Sequence, residues 1–184
     1  MTLEELWQIF PIFLVAPKEE WATNYAEEKT RLLSVLSDKK IKRISHIGST
    51  AISGIWAKDI VDIMIELSAD EKMTSVAEKL TENGYIKMSE EPDRISLNRG
   101  YTEDGFADKV FHLHLRYAGD NNELYFRDYL NDHPNLAREY EKLKLSLWKK
   151  YEHDRDGYTD AKTNFIQEVT NRAKVEYGLK YAEI

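Results

Sequence analysis

A chain of 184 residues, 42% hydrophobic and 32% charged, can bury one sizeable core, and its net charge of −7 excludes a broad nucleic-acid surface, which needs clustered Lys and Arg. The absence of cysteine excludes disulfides, cysteine zinc sites and thiol nucleophiles, leaving histidines and carboxylates for metal or acid–base chemistry. From Pro134 onward 10 basic and 9 acidic residues balance at +1, so the first 133 residues carry −8. The apolar run over residues 9–16 is short, contains Pro11 and follows Glu4 and Glu5. It resembles neither a signal peptide nor a membrane span, so a cytoplasmic protein without membrane contact is expected.

In chain order, residues 1–18 read as a short helical turn followed by an extended 12–15 segment broken by Pro17. Residues 19–37 form a helix burying Trp21, Tyr25, Leu32 and Leu36, with Trp21 a core anchor. The stretch 41–67 organises the chain. A strand ends at His46-Ile47, a tight polar turn Gly48-Ser49-Thr50 follows, then a loop with Gly54 and Lys58, then a strand with Asp62. On that second strand Val61, Ile63, Ile65 and Leu67 share an apolar face, and Ile60, Asp62, Met64 and Glu66 share the other. Asp59 falls at the strand entry and reads as a solvated or capping residue.

Residues 69–83 read as an amphipathic helix burying Met73, Val76, Ala77 and Leu80 and closed by Gly84. Short strands follow at 85–88 and 94–99, then a hairpin loop over 100–108. The strand over 110–117 sets Phe111, Leu113, Leu115 and Tyr117 on one face and Val110, His112, His114 and Arg116 on the other. The two histidines stand roughly 6.6 Å apart along one face, near enough to serve one anion or metal. The remainder is helical: residues 123–131; a helix opened by Pro134 with Leu136, Tyr140, Leu143, Leu147 and Tyr151 as its buried stripe; and residues 158–177, burying Ala161, Phe165, Val169 and Ala173 and ended by Gly178. Arg155, Tyr158 and Lys162 share a face of that last helix.

Gly48 lets the backbone turn closely, and the amides and hydroxyls after it can accept a phosphate. A Gly-Ser turn followed by a strand carboxylate is how a nucleotidyl-transferring core holds a nucleotide and its metal; the plainer alternative is a turn between two core strands. The segments HIGSTAISGIWAKDIVDI, FHLHL, FRDYLNDHPNLAREYEKLK and DRDGYTDAKTNFI together resemble the GrpB family, a nucleotidyltransferase-like group, over about residues 15–173. The family pattern falls on His46, Gly48, Ser49, Thr50, Gly54, Lys58, Asp62, His112, His114, Arg127, Asp128, Lys144, Tyr158 and Lys162. The family commonly has Pro where this chain has Ser53 and Asp59, a change expected to act on loop stiffness more than on chemistry. The resemblance implies an α+β, nucleotidyltransferase-like mixed β-sheet core flanked by helices, about residues 1–120, with a helical C-terminal part over about 121–184, together one domain.

Such a core normally carries a second acid two positions after the first, so that both reach Mg²⁺ from one strand face. Here that position is Met64, and Glu66 lies roughly 13 Å along the strand from Asp62. Three readings follow. In the first, a nucleotide or other phosphorylated small molecule is bound for nucleotidyl or phosphoryl transfer, with Asp62, His112 and His114 as catalytic residues. His46, Gly48, Ser49, Thr50, Lys58, Arg127, Tyr158 and Lys162 then hold the ligand. In the second, the pocket binds without catalysis, and His46, His112 and His114 become cationic donors near neutral pH. In the third, Asp62, His112 and His114, joined by His46, hold a divalent metal for hydrolysis, with Zn, Mn or Fe suiting the donors better than Mg. No segment marks an oligomer interface.

Overall fold

A computed structural model describes residues 2–182. Its elements are α1 (Leu3–Ile9), α2 (Glu20–Val35), β1 (Ile41–Ile47), a 3-10 turn (Ser49–Ala51), β2 (Val61–Leu67), α3 (Met73–Thr81), β3 (Ile86–Glu90), β4 (Arg94–Thr102), β5 (Gly105–Tyr117), α4 (Asn122–Asp132), α5 (Pro134–Trp148) and α6 (Arg155–Tyr177). This is the expected α+β mixed-sheet core with a helical C-terminal part. The sheet order is β1-β2-β5-β4-β3, and only the β2–β5 pairing is parallel.

Strand alternation decides what each face of the sheet meets. Ile63, Ile65 and Leu67 of β2, Phe111, Leu113 and Leu115 of β5, and Ile95 and Leu97 of β4 form one apolar face. It packs against Trp21, Leu32 and Leu36 of the α2 region and Met73, Val76, Ala77 and Leu80 of α3. Each fully buried Leu or Ile contributes about 1.5–3 kcal/mol, so this layer supplies most of the stability. The opposite face carries Asp62, Met64 and Glu66 beside His112, His114 and Arg116, paired in that order by the parallel register. Helices α4, α5 and α6 cover this face and build a smaller apolar cluster of their own from Phe126, Leu130, Ala137, Tyr140 and Val169 with Ile52 and Ile55.

Several boundaries depart from the sequence reading. Helix α3 begins at Met73 rather than 69, because the preceding residues form a turn that grips Lys40: Glu71 accepts its amide and Asp70 its ammonium, while Ser68 donates to Asp70. The expected 100–108 loop is instead the end of a long hairpin. Gly100, at φ +95°, allows a register shift between Arg99 and Tyr101, and the ladder resumes to Thr102 and Gly105. A Cβ at Gly100 would lie 2.3 Å from the Lys109 carbonyl oxygen.

The buried stripe of α5 is also not the leucine row: Leu136, Leu143, Leu147 and Tyr151 are half-buried, and the buried residues are Ala137, Tyr140, Glu141 and Lys144. The helix turns this face to the loop before β2, where Glu141 accepts the Trp56 amide at 2.7 Å and Lys144 donates to the Trp56 carbonyl. In α6 the buried residues are Tyr158, Val169, Thr170 and Ala173, with Ala161 and Phe165 only half-buried.

Two substitutions against the family pattern gain specific partners. Asp59 is not a free solvated residue, since it accepts the Trp21 indole N–H at 2.8 Å and pairs with Lys18 at 2.6 Å. The Ser53 amide donates to Asn131 at 2.9 Å, a bond that proline could not make.

Candidate functional site

Between the mixed face of the sheet and helices α4–α6 lies a cleft of about 720 Å³. Gly48, Ser49, Thr50, Lys58, Asp62, His112 and His114 line its sheet side; Phe126, Tyr140, Lys144, Tyr158, Lys162 and Ile166 line the helix side. Most of the residues expected to share a site therefore do so.

Gly48 is required twice over. Its φ of +74° favours glycine, and a Cβ there would sit 2.7 Å from Asp62 Oδ2. This lets the turn start directly against the carboxylate on β2. His46 does not line the cleft: its Nε2 bonds the Thr50 hydroxyl at 2.8 Å and its ring stacks on Tyr25, so it braces the turn from behind.

Around Asp62 the bonds form one chain. Oδ1 accepts from His114 Nε2 at 3.0 Å and lies 3.6 Å from His112 Nδ1. Arg155 donates to the Tyr101 hydroxyl at 2.9 Å, which leaves that hydroxyl's proton for His112 Nε2 at 2.6 Å. His112 then carries its own proton on Nδ1, facing Asp62. Burial pushes the Asp62 carboxyl up, but the His114 hydrogen bond, the two imidazoles and Lys58 outweigh it and bring the pKa to about 2.

Burial lowers His46 to about 4 and His112 to about 3, so both are neutral at physiological pH. The expectation that His46 and His112 serve as cationic donors is therefore corrected. Positive charge comes from lysines instead. Burial, together with the field of Arg155, lowers Lys58 to about 8; burial and repulsion from neighbouring lysines lower Lys144 and Lys162 to about 7. Lys162 and Lys58 sit 4.3 and 5.7 Å from the centre of the Tyr158 ring. Among the described residues the Tyr158 hydroxyl, itself buried, has no hydrogen-bond partner.

Arg127, expected to hold phosphate, is engaged elsewhere and does not line the cleft. It donates to Asp128 at 2.8 Å, to the His46 carbonyl at 2.9 Å and to the Tyr181 hydroxyl at 3.2 Å, tying α4 to β1 and the C-terminal segment. Glu66 is likewise structural, buried and accepting from Asn121 at 2.8 Å and the Gly119 amide at 3.2 Å.

The expected metal set of Asp62, His112 and His114 is not assembled as one: both rings direct a nitrogen at the same Asp62 oxygen, and the other nitrogen of His112 faces Tyr101. Among the described residues no three His, Cys, Asp or Glu side chains are arranged to hold a metal ion. The Mg²⁺ that the sequence resemblance implied fits no better. It takes oxygen ligands, and the second-acid position is Met64, 1% exposed and packed with Ile47, Leu124 and Tyr181.

The model of the family described as GrpB protein matches residues 11–172. The chain belongs to the GrpB family. The glutamate-rich protein GrpB of Alkalihalophilus pseudofirmus is 37% identical over 87% of this chain and 94% of its own length. The crystal structure of conserved protein GrpB from Enterococcus faecalis superposes with a TM-score of 0.77 at 25% identity, over 90% of this chain and 99% of that one. A dephospho-CoA kinase of Mycolicibacterium paratuberculosis is 27% identical over 89% of this chain, which spans 46% of that protein. Among the described residues no helix is long and apolar enough to cross a membrane.

Two residues absent from the expected site set also shape it: Lys144 lines the cleft, and Tyr101, outside the lining, bonds His112. Lys144 lies one helical turn after Tyr140, so the stripe containing Tyr140 already pointed to it. Tyr101 was hidden behind Gly100, where the strand was expected to stop.

Proposed function

We propose that this GrpB-family protein binds a phosphorylated small molecule or nucleotide in the cleft. Its phosphate is seated between the Gly48-Ser49-Thr50 turn and the ammonium groups of Lys58, Lys144 and Lys162. The observation that carries the reading is charge imbalance: three partly desolvated lysines, each with a depressed pKa, outnumber the carboxylates beside them, Asp62 on β2 and Glu141 next to Lys144, while Glu123, which also lines the cleft, is paired with Arg116. Holding three ammonium groups together costs stability that a bound anion returns. The turn amides and the Ser49 hydroxyl supply neutral donors of the kind phosphates accept. The remaining cleft, walled by Phe126 and Ile166 with Gln167 and Asn171 at its rim, is large enough for an organic moiety beyond the phosphate. A relative named as a dephospho-CoA kinase makes dephospho-CoA a sensible member of a test panel.

Thermal unfolding with inorganic phosphate, pyrophosphate, AMP, ATP and dephospho-CoA tests this. At least one phosphate compound should raise the melting temperature, and Lys162→Gln should reduce that rise. An unchanged melting temperature across the whole panel overturns the reading.

A further inference from the structure

Resting on that reading, we infer that the cleft takes its phosphate ligand free of divalent metal, built-in lysines supplying the neutralising charge, and that Mg²⁺ competes with the protein for the phosphate.

The sheet side lacks the means to carry a metal-bound phosphate. Met64 occupies the position of the second acid, and its side chain is enclosed by Ile47, Leu124 and Tyr181. Restoring an acid there would bury a charge among apolar groups. Of Asp62's two oxygens, Oδ1 is shared by His114 and His112, and Oδ2 lies against Gly48. A hydrated Mg²⁺ would therefore meet one carboxylate whose Oδ1 is already shared and no second acid, a poor exchange for its water.

The helix side supplies the missing charge. Lys144 and Lys162 reach in from α5 and α6, opposite Lys58 on the loop before β2. No acidic side chain bonds any of the three ammonium groups among the described residues: Lys144 donates to the Trp56 carbonyl, and Lys58 and Lys162 lie over the Tyr158 ring. With Asp62 and Glu141 ionised, the three lysines still give this end of the cleft excess positive charge once an entering anion holds their protons. A metal-free phosphate balances it, whereas a Mg²⁺-chelated phosphate has already lost much of the charge the lysines would neutralise.

The test is titration calorimetry of the untagged protein with ATP and with pyrophosphate. Each is run in EDTA and again in excess Mg²⁺, with ionic strength matched by KCl. The expected result is tighter binding in EDTA, by about tenfold or more, for whichever probe binds. Lys162→Gln should weaken the EDTA binding by about tenfold or more while the free protein melts no lower than wild type. Binding that requires Mg²⁺, or is equally tight with it, overturns the metal-free inference and leaves the phosphate site standing. No binding of either probe in either buffer overturns the inference for polyphosphate ligands; the phosphate reading then rests on the thermal panel, where AMP, dephospho-CoA and inorganic phosphate decide it separately.

Discussion

The two faces of the central sheet are built from alternate residues of the same strands, yet they follow opposite economies. Behind Ile63 and Leu113 lies a continuous apolar cluster onto which α2 and α3 pack. In front, Asp62 and His112 look across an open cleft at lysines that repel one another. The first face holds the fold together and the second holds charge at a cost, so a change of residue should carry a different sign on each.

The largest contrast is expected from Ile63→Ala. Ile63 is fully buried, and its truncation should cost about 2–5 kcal/mol in urea unfolding without altering the cleft's chemistry. A loss below about 1 kcal/mol would show that this face is not the stabilising one. Gly48→Ala comes next. Its positive φ and the 2.7 Å approach to Asp62 should together cost about 1–3 kcal/mol and abolish phosphate-induced stabilisation. Retained binding at wild-type affinity would mean that the turn is not the phosphate seat.

Varying pH sharpens the contrast because the lysines lie on one face only. In the unfolded chain they keep their protons to near pH 10.5, whereas in the fold Lys144 and Lys162 release theirs near 7 and Lys58 near 8. Between about pH 7 and 9 the unfolded state therefore binds more protons, and the lysine contribution to stability rises with pH. Phosphate affinity runs the other way, falling over the same window as the ammonium groups lose charge. Denaturation and phosphate titration at pH 7 and pH 9 measure both slopes, and slopes of the same sign would break the assignment. The smallest effect is expected from Tyr158→Phe. It removes a buried hydroxyl that has no partner, so stability should hold or rise; a loss above about 1 kcal/mol would reveal an interaction partner for that oxygen.

Much of this was legible in the residues themselves. The period-two alternation of 61–67 and 110–117 assigned Asp62, His112 and His114 to one face, and β2 and β5 hold them there in register. Less legible were features where a side chain overrides a local pattern. Gly100 looked like a strand end but is a bulge. The buried stripe of α5 was read as a leucine row, but Glu141 and Lys144 are buried there and hold the backbone of Trp56. Arg127 looked like a phosphate ligand, but its donors are engaged by Asp128, His46 and Tyr181 from other parts of the chain.

The sequence by itself determined the layers of the fold, the turn at Gly48 and the missing acid at Met64, because periodicity, glycine's freedom at positive φ and residue identity are local properties. The tertiary structure decided which charges meet. Lys58, Lys144 and Lys162 come from a loop and two helices far apart in the chain, and only their packing around one cleft turns ordinary lysines into a cation cluster. Electrostatic energy depends on distance and burial in space, and neither can be read from separation along the chain.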